Sequence, residues 1–272
     1  MSAIMRKMLF RPTEHVRTNE PIAYSDYQMH INRYIFASEF ARDKVVLDVA
    51  CGAGTGSKYL VSKGAKKVTG VDISEDAIRE AKIWNAGEKR AEFVHADAHS
   101  LPFPSCSFDV VVSFETIEHL KEPQRFLFEC ARVIKKGGIF ICSTPNKRIT
   151  TPIFRRPTNP YHVKEFYPKE FCELVGNYFA DAITYEQHML NLKGRVRSQM
   201  ISIIAHILST LPGGNRMKGF LRTIGQPILQ EPYLPMFNQE TDEMQNKSYQ
   251  VSPFRSTLLK TPEYVIVVAK AR

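Results

Sequence analysis

The chain has 272 residues, 43% of them hydrophobic and 24% charged, proportions of a globular protein that exclude a disordered, collagen-like or coiled-coil chain. The 37 Lys and Arg against 28 Asp and Glu leave a net charge of +9, which favours anionic partners: nucleic acid, acidic lipid or a phosphorylated sugar. The 5 cysteines are odd in number and never form a C-x-x-C pair, which argues against a disulfide framework or a zinc knuckle and for a reducing cytoplasm.

The amino terminus lacks the apolar run and small-residue cleavage site of a signal peptide, and no stretch reaches the ~18–20 apolar residues that span a bilayer. A soluble, cytoplasmic protein is expected, at most peripheral at the inner membrane surface. Residues 1–44 read as an N-terminal helical lid. From Val45, short β-branched runs alternate with helical patterns. Val45–Ala50, Lys67–Asp72, Glu92–Ala96, Phe108–Phe114 and Gly138–Thr144 read as strands, with helices over Gly56–Ser62, Glu75–Asn85 and Gln124–Ile134. The strand runs are nearly all apolar, as parallel strands covered on both faces require. Ser74 and Asp76 supply a helix-start signal to the second helix. This repetition predicts an α/β fold with a doubly wound, Rossmann-like sheet.

Beyond Thr144 comes a connection rich in proline (Pro145, Pro152, Pro157, Pro160). A helix opened by Pro168 then runs to about Tyr178, the placement expected of proline. A strand follows near Ala182–His188, and the last strand is Tyr264–Ala269. Roughly 70 residues separate these two strands, too many for a hairpin connection, so the stretch is an insertion. Within it Met200–Leu211 is an apolar helical segment, flanked by Lys193, Arg195 and Arg197 and by Arg216, Lys218 and Arg222. The domain organisation is therefore a core over 45–190, a helical substrate-lid insertion over 191–260 and a final core strand over 261–272. The insertion can wall an acceptor cleft, rest against lipid with its bases at the headgroups, or simply bury its own apolar face. No base-stacking platform accompanies it, so nucleic acid is not favoured as a partner.

The first strand runs into Asp48-Val49-Ala50-Cys51-Gly52-Ala53-Gly54-Thr55-Gly56, a glycine turn that opens a helix. A doubly wound sheet binds ligands at the carboxyl ends of its strands. The spacing G-x-G-x-G lacks the third glycine of the dinucleotide fingerprint, and no P-loop motif exists in the chain. Asp72 ends the second strand, where an acid can accept both hydrogen bonds of a ribose diol. Asp97 follows the third. A glycine turn and three acids at successive strand ends outline one nucleoside-shaped ligand.

On these motifs, over about Val45 to Thr144, the sequence resembles the class I S-adenosylmethionine-dependent methyltransferases. The resemblance implies their seven-stranded sheet, here with a helical insertion between the last two strands, and S-adenosyl-L-methionine as cofactor. It implies that Asp48 and the Gly52 and Gly54 backbone hold the methionine end, Asp72 the ribose, Ile73 one adenine face, and Asp97 with the Ala98 amide the adenine edge. Ala50 stands where many relatives have glycine, a departure expected to cost little. Upstream, His30-x-x-Arg33-Tyr34 resembles a subgroup encoded with glycan-assembly enzymes, in which the N-terminal helix lids the cofactor, so that Tyr34 or Arg33 covers the methionine end. An ordinary amphipathic surface helix is the alternative there.

The fourth strand ends in Phe114-Glu115-Thr116-Ile117-Glu118-His119-Leu120, beside the position of the transferable methyl. On one helical face Glu115, Glu118 and His119 can converge, with His162 of Asn159-Pro160-Tyr161-His162-x-x-Glu165-Phe166 as a fourth group. The segment resembles the E-x-x-E-H of small-RNA 2′-O-methyltransferases and ubiquinone-pathway O-methyltransferases, which implies a divalent metal, Mg²⁺ or Mn²⁺, on Glu115, Glu118, His119 and His162. Many relatives carry it without an established metal. His119 or His162 then serves as a general base, with Glu115 at the methionine end, or the residues are structural. The expected activity is O-methylation of a sugar, glycan or lipid-linked small-molecule acceptor. Metal-dependent RNA 2′-O-methylation and a non-catalytic, cofactor-binding regulator are the alternatives.

Overall fold

The computed structural model describes residues 24–151, 157, 159–188, 251–253 and 262–272. After helix α1 (Tyr24–Ala41), strands and helices alternate as β1 (Val45–Val49), α2 (Thr55–Ser62), β2 (Lys67–Asp72), α3 (Glu75–Trp84), β3 (Ala91–His95) and β4 (Phe108–Phe114). A short 3₁₀ turn (Ile117–His119), α4 (Pro123–Val133), β5 (Ile134–Pro145), α5 (Lys147–Thr150), α6 (Pro168–Gly176), β6 (Ala180–Gln187), β7 (Val251–Pro253) and β8 (Tyr264–Lys270) follow. They build an eight-stranded sheet in the order β3-β2-β1-β4-β5-β8-β6-β7. Strands β1 to β5 are mutually parallel, and β8 inserts antiparallel between β5 and β6. The carboxyl ends of β1, β2, β3 and β4 therefore share one edge of the sheet, with a change of strand order beside β1. That is where a doubly wound sheet receives its ligand.

Alternation along the central strands sorts their side chains into two layers. Leu47, Val49, Val111, Phe140, Val265 and Val267 pack under Phe126 and Leu127 of α4 and Phe171 and Val175 of α6. On the opposite face Val46, Val110, Val112, Ile141 and Ile266 meet Leu60 and Val61 of α2 and Ile31, Tyr34, Ala37 and Ala41 of α1. Helix α1 is thus part of one covering layer of the sheet. Ser74 caps α3 by accepting the Ala77 N–H at 3.2 Å, and Pro168 opens α6, as the sequence predicts.

Two expectations need correction. Strand β5 starts at Ile134, because the chain passes directly from α4 into the sheet, with a register shift between Phe108 and Val110. An eighth strand, β7, lies inside the stretch 191–260 that reads as helical, and pairs antiparallel with Tyr185–Gln187. Three residues containing Ser252 and Pro253 carry no apolar run to announce a strand, and proline is tolerated here because the strand is at the edge. Met200–Leu211 and its flanking bases fall outside the described residues. Among the described residues no helix is long and apolar enough to cross a membrane.

Candidate active site

The turn after β1 demands unusual backbone. Ala50 has φ +61°, Gly52 φ +54° and Gly54 φ +77°, so the chain reverses through left-handed conformations to reach α2. At Ala50 the side chain makes this conformation cost about 1–2 kcal/mol, more than a conservative glycine replacement suggests. Gly56, on the first turn of α2, lies against the ring of Tyr34: a Cβ there would sit 2.0 Å from Tyr34 Cζ.

Asp48 is fully buried beneath this turn. Its Oδ2 accepts the Ser57 hydroxyl at 2.6 Å and its Oδ1 the Tyr34 hydroxyl at 3.0 Å. Burial, opposed by those two hydrogen bonds and reinforced by the charge of Asp72, raises its pKa from 3.8 to about 6. Burial and the charge of Asp48 push the Tyr34 hydroxyl well above its ordinary value. Asp48 is thus engaged with α1 through Tyr34 and with α2 through Ser57, and it underpins the turn between β1 and α2. The Tyr34 ring stands edge-on to Phe114, centroids 4.9 Å apart, so the N-terminal helix meets the end of β4. Arg33, also buried, donates from Nη1 to Gln187 Oε1 at 2.8 Å and lies 4.3 Å over the Tyr264 ring. Its Nη2 is 3.6 Å from Glu115 Oε1. Ser57, Gln187 and Tyr264 carry no motif, and only their pairing across elements marks them.

At the end of β2, Asp72 accepts the Gly52 N–H through Oδ2 and the Ser74 N–H through Oδ1, both at 2.9 Å. It ties the glycine turn to the start of α3, and a carboxylate has about four lone-pair positions with which to accept further donors. Ile73 next to it is 57% exposed, an apolar face without a cover at this edge among the described residues. Asp97 after β3 is half-exposed and accepts the His99 backbone N–H at 2.9 Å, with His99 Nδ1 at 2.7 Å. Its slight burial opposes ionisation, but the bonds from His99 outweigh it and hold the pKa below the ordinary value. Ala98 beside it is partly buried against the core. The acids and Ile73 thus line successive strand ends, the arrangement that a nucleoside-bearing cofactor fits.

Past β4 the structure divides the four candidate groups. Glu115 has φ +55° and Ile117–His119 is a single 3₁₀ turn, so no continuous helix face carries Glu115 with the others. Glu115 instead accepts the Ser143 hydroxyl at 3.2 Å and faces Arg33. Glu118, His119 and His162 do converge: a carboxylate oxygen and one ring nitrogen from each histidine lie within 4.8 Å of one another. The histidine rings meet edge-on with centroids 4.9 Å apart. Glu118 is fully buried, its Oε2 accepting the Thr144 hydroxyl at 3.1 Å and its Oε1 having no hydrogen-bond partner among the described residues. Burial, reinforced by the charge of Glu115, pushes its pKa well above the ordinary range.

The loop carrying His162 is pinned to this turn. The Val163 and Lys164 N–H groups donate to Glu118 O at 2.8 and 3.1 Å, and His119 Nδ1 lies 3.1 Å from Tyr161 O. A carbonyl only accepts, so His119 presents an Nδ1–H to Tyr161 O.

Comparison with known proteins agrees with this geometry. Residues 47–142 match the family described as "Methyltransferase domain". A Mycolicibacterium smegmatis protein named "Probable S-adenosylmethionine-dependent methyltransferase" is 38% identical over 130 residues, 48% of this chain and 49% of that protein. A ubiquinone biosynthesis O-methyltransferase from Maricaulis maris is 39% identical over 105 residues, 38% of this chain and 41% of that protein. The matched segment thus spans about half the length of these relatives. The crystal structure of a SAM dependent methyltransferase from Archaeoglobus fulgidus superposes with a TM-score of 0.55 over 90% of this chain and 93% of that one, at 19% identity, a likeness of fold. With its sheet order, its glycine turn and its strand-end acids, this chain carries over residues 47–142 a methyltransferase domain similar to that of these S-adenosylmethionine-dependent relatives.

Proposed function

We propose that the protein transfers the methyl group of S-adenosylmethionine to a hydroxyl oxygen of a small-molecule acceptor, a sugar, glycan or lipid-linked ring. The observation that carries this reading is the convergence of Glu118, His119 and His162 past the carboxyl end of β4. When bound, the cofactor supplies a methyl group on a positively charged sulfur, already electrophilic. The protein is left to align the acceptor and remove its proton. Asp72 and the Gly52–Gly54 backbone anchor the cofactor, Ile73 and Asp97 border the adenine, and Tyr34 encloses the methionine end. A histidine Nε2 takes the proton of the acceptor hydroxyl as the new carbon–oxygen bond forms and the carbon–sulfur bond breaks. Tyr161, Val163 and Tyr167 stand exposed on the same loop as His162, with Lys147 5.2 Å from the Tyr167 ring, which suits an acceptor with an apolar body and an anionic group. The relatedness to a ubiquinone-pathway O-methyltransferase supports transfer to oxygen and adds phenols to the acceptors worth testing.

The same three residues fit a divalent cation. A buried carboxylate oxygen with no hydrogen-bond partner among the described residues, beside two imidazoles, is a donor set suited to Mn²⁺ or a similar ion, and less to Mg²⁺, which takes mainly oxygen ligands. Such an ion would polarise the acceptor oxygen as a Lewis acid. Glu115 lies outside that donor set.

The test is transfer of a labelled methyl group to nucleotide sugars, a lipid-linked glycan, a polyprenyl catechol and an RNA 3′ end, with and without EDTA. Turnover on a ring hydroxyl, falling ~10²–10⁴-fold in a single histidine variant and indifferent to EDTA, is expected for proton removal alone. Loss in EDTA, restored by Mn²⁺, together with losses in the Glu118, His119 and His162 alanine variants, assigns the cation. Cofactor binding without turnover on any acceptor would reject the enzyme reading in favour of a binding regulator, and turnover on RNA alone would replace the acceptor class.

A further inference from the structure

Glu165 has no part in the chemistry above, yet its side chain is only 1% exposed and its bonds join His162 to the end of α5. Its Oε1 lies 2.8 Å from His162 Nδ1, and its Oε2 accepts the Thr150 hydroxyl at 2.6 Å as well as the Thr151 hydroxyl. On the far side of the imidazole, Asn159 Nδ2 lies 3.0 Å from His162 Nε2. The orientation of that amide is settled by its own oxygen, which accepts the Tyr161 N–H at 3.0 Å. A carboxylate only accepts and an amide NH₂ only donates, so both neighbours demand one tautomer of His162: proton on Nδ1, lone pair on Nε2. The loop itself is held independently, by Val163 and Lys164 on Glu118 O and by the bridge between Asn146 and Phe166.

We propose that Glu165 is a positioning residue for methyl transfer, holding His162 as the Nδ1–H tautomer so that its Nε2 lone pair is the basic atom facing the acceptor. The inference rests on the function proposed above, because it deepens the role of the same histidine. Asn159 occupies Nε2 until an acceptor hydroxyl or a cation displaces it. A carboxylate behind the ring raises the basicity of the opposite nitrogen whether that nitrogen receives a proton or a cation.

The test reads the tautomer directly. Long-range ¹H–¹⁵N spectra of the ¹⁵N-histidine-labelled protein, with His162 assigned through His162→Gln, should show Nδ1–H in the wild type. Glu165→Gln keeps a carbonyl acceptor and should retain that tautomer and most of the turnover. Glu165→Ala should lose the Nδ1–H preference and about 10–100-fold in kcat, with the KM for S-adenosylmethionine unchanged. An Nε2–H tautomer in the wild type overturns the proposal without any variant, which covers the case that Glu165→Ala fails to fold. Wild-type kcat and tautomer in a folded Glu165→Ala overturn it as well. Absence of wild-type turnover on every acceptor strikes the proposed function instead, and leaves the tautomer measurement to decide the role of Glu165.

Discussion

At the scale of single residues, the site is organised by carboxylates that are buried for different purposes. Asp48 is enclosed with two hydroxyl donors, and its pKa is raised from 3.8 to about 6. A folded value above the unfolded one means that the folded state binds the proton more tightly. Its contribution to stability is complete below about pH 4 and is lost as the pH rises through about 6. The difference between the two values corresponds to about 3 kcal/mol. Asp48→Asn retains an acceptor oxygen while removing the charge. Denaturation of the cofactor-free protein should therefore show the variant gaining about 2–3 kcal/mol relative to wild type between pH 4 and pH 7. Parallel pH profiles for the two proteins would contradict this account.

Among elements, the decisive contact is between the N-terminal helix and the turn after the first strand. Helix α1 lies on the sheet because Ile31, Tyr34, Ala37 and Ala41 share its buried face, and Tyr34 reaches Asp48 over Gly56. Alanine is intrinsically better than glycine inside a helix by about 1 kcal/mol. Gly56→Ala should nevertheless destabilise the protein by about 1–3 kcal/mol, because the new methyl group would overlap the Tyr34 ring. In a Tyr34→Ala background the same change should become neutral or favourable. A double-mutant cycle by urea denaturation measures this, and additive effects would mean that the ring is not what excludes a side chain at that position.

For the whole molecule, the described core closes across the long stretch of chain between β6 and β8. Strand β8 lies between β5 and β6 and is almost wholly buried, so it belongs to the core despite its distance in sequence. Gln187 and Val251 are paired across β6 and β7, so the described chain on either side of segment 191–250 comes together there. Replacing that segment by a short turn should leave S-adenosylmethionine binding near the wild-type value by calorimetry and abolish turnover on the acceptor. Undiminished turnover would remove the segment from the acceptor site. Loss of cofactor binding in a folded protein would extend its role to the core.

The strands, their parallel order and the strand-end acids were legible in the sequence, for a physical reason. Parallel strands covered on both faces must be apolar runs, and a glycine turn followed by acids after successive strands leaves little else for the sheet edge to bind. Position along the chain also marked Glu118, His119 and His162, whose residue types can serve a cation or a proton. What the sequence could not state was which of these side chains meet. The positive φ at Glu115 and the brevity of the 3₁₀ turn separate Glu115 from Glu118, although a helical spacing would join them. Edge strand β7 was illegible because three residues with a proline satisfy no pattern. The engagement of Asp48 with Tyr34 and of Arg33 with Gln187 was decided by the tertiary structure alone. Each is a hydrogen bond whose energy depends on burial and on a partner from another element, and neither is a property of the residue or its neighbours in the chain.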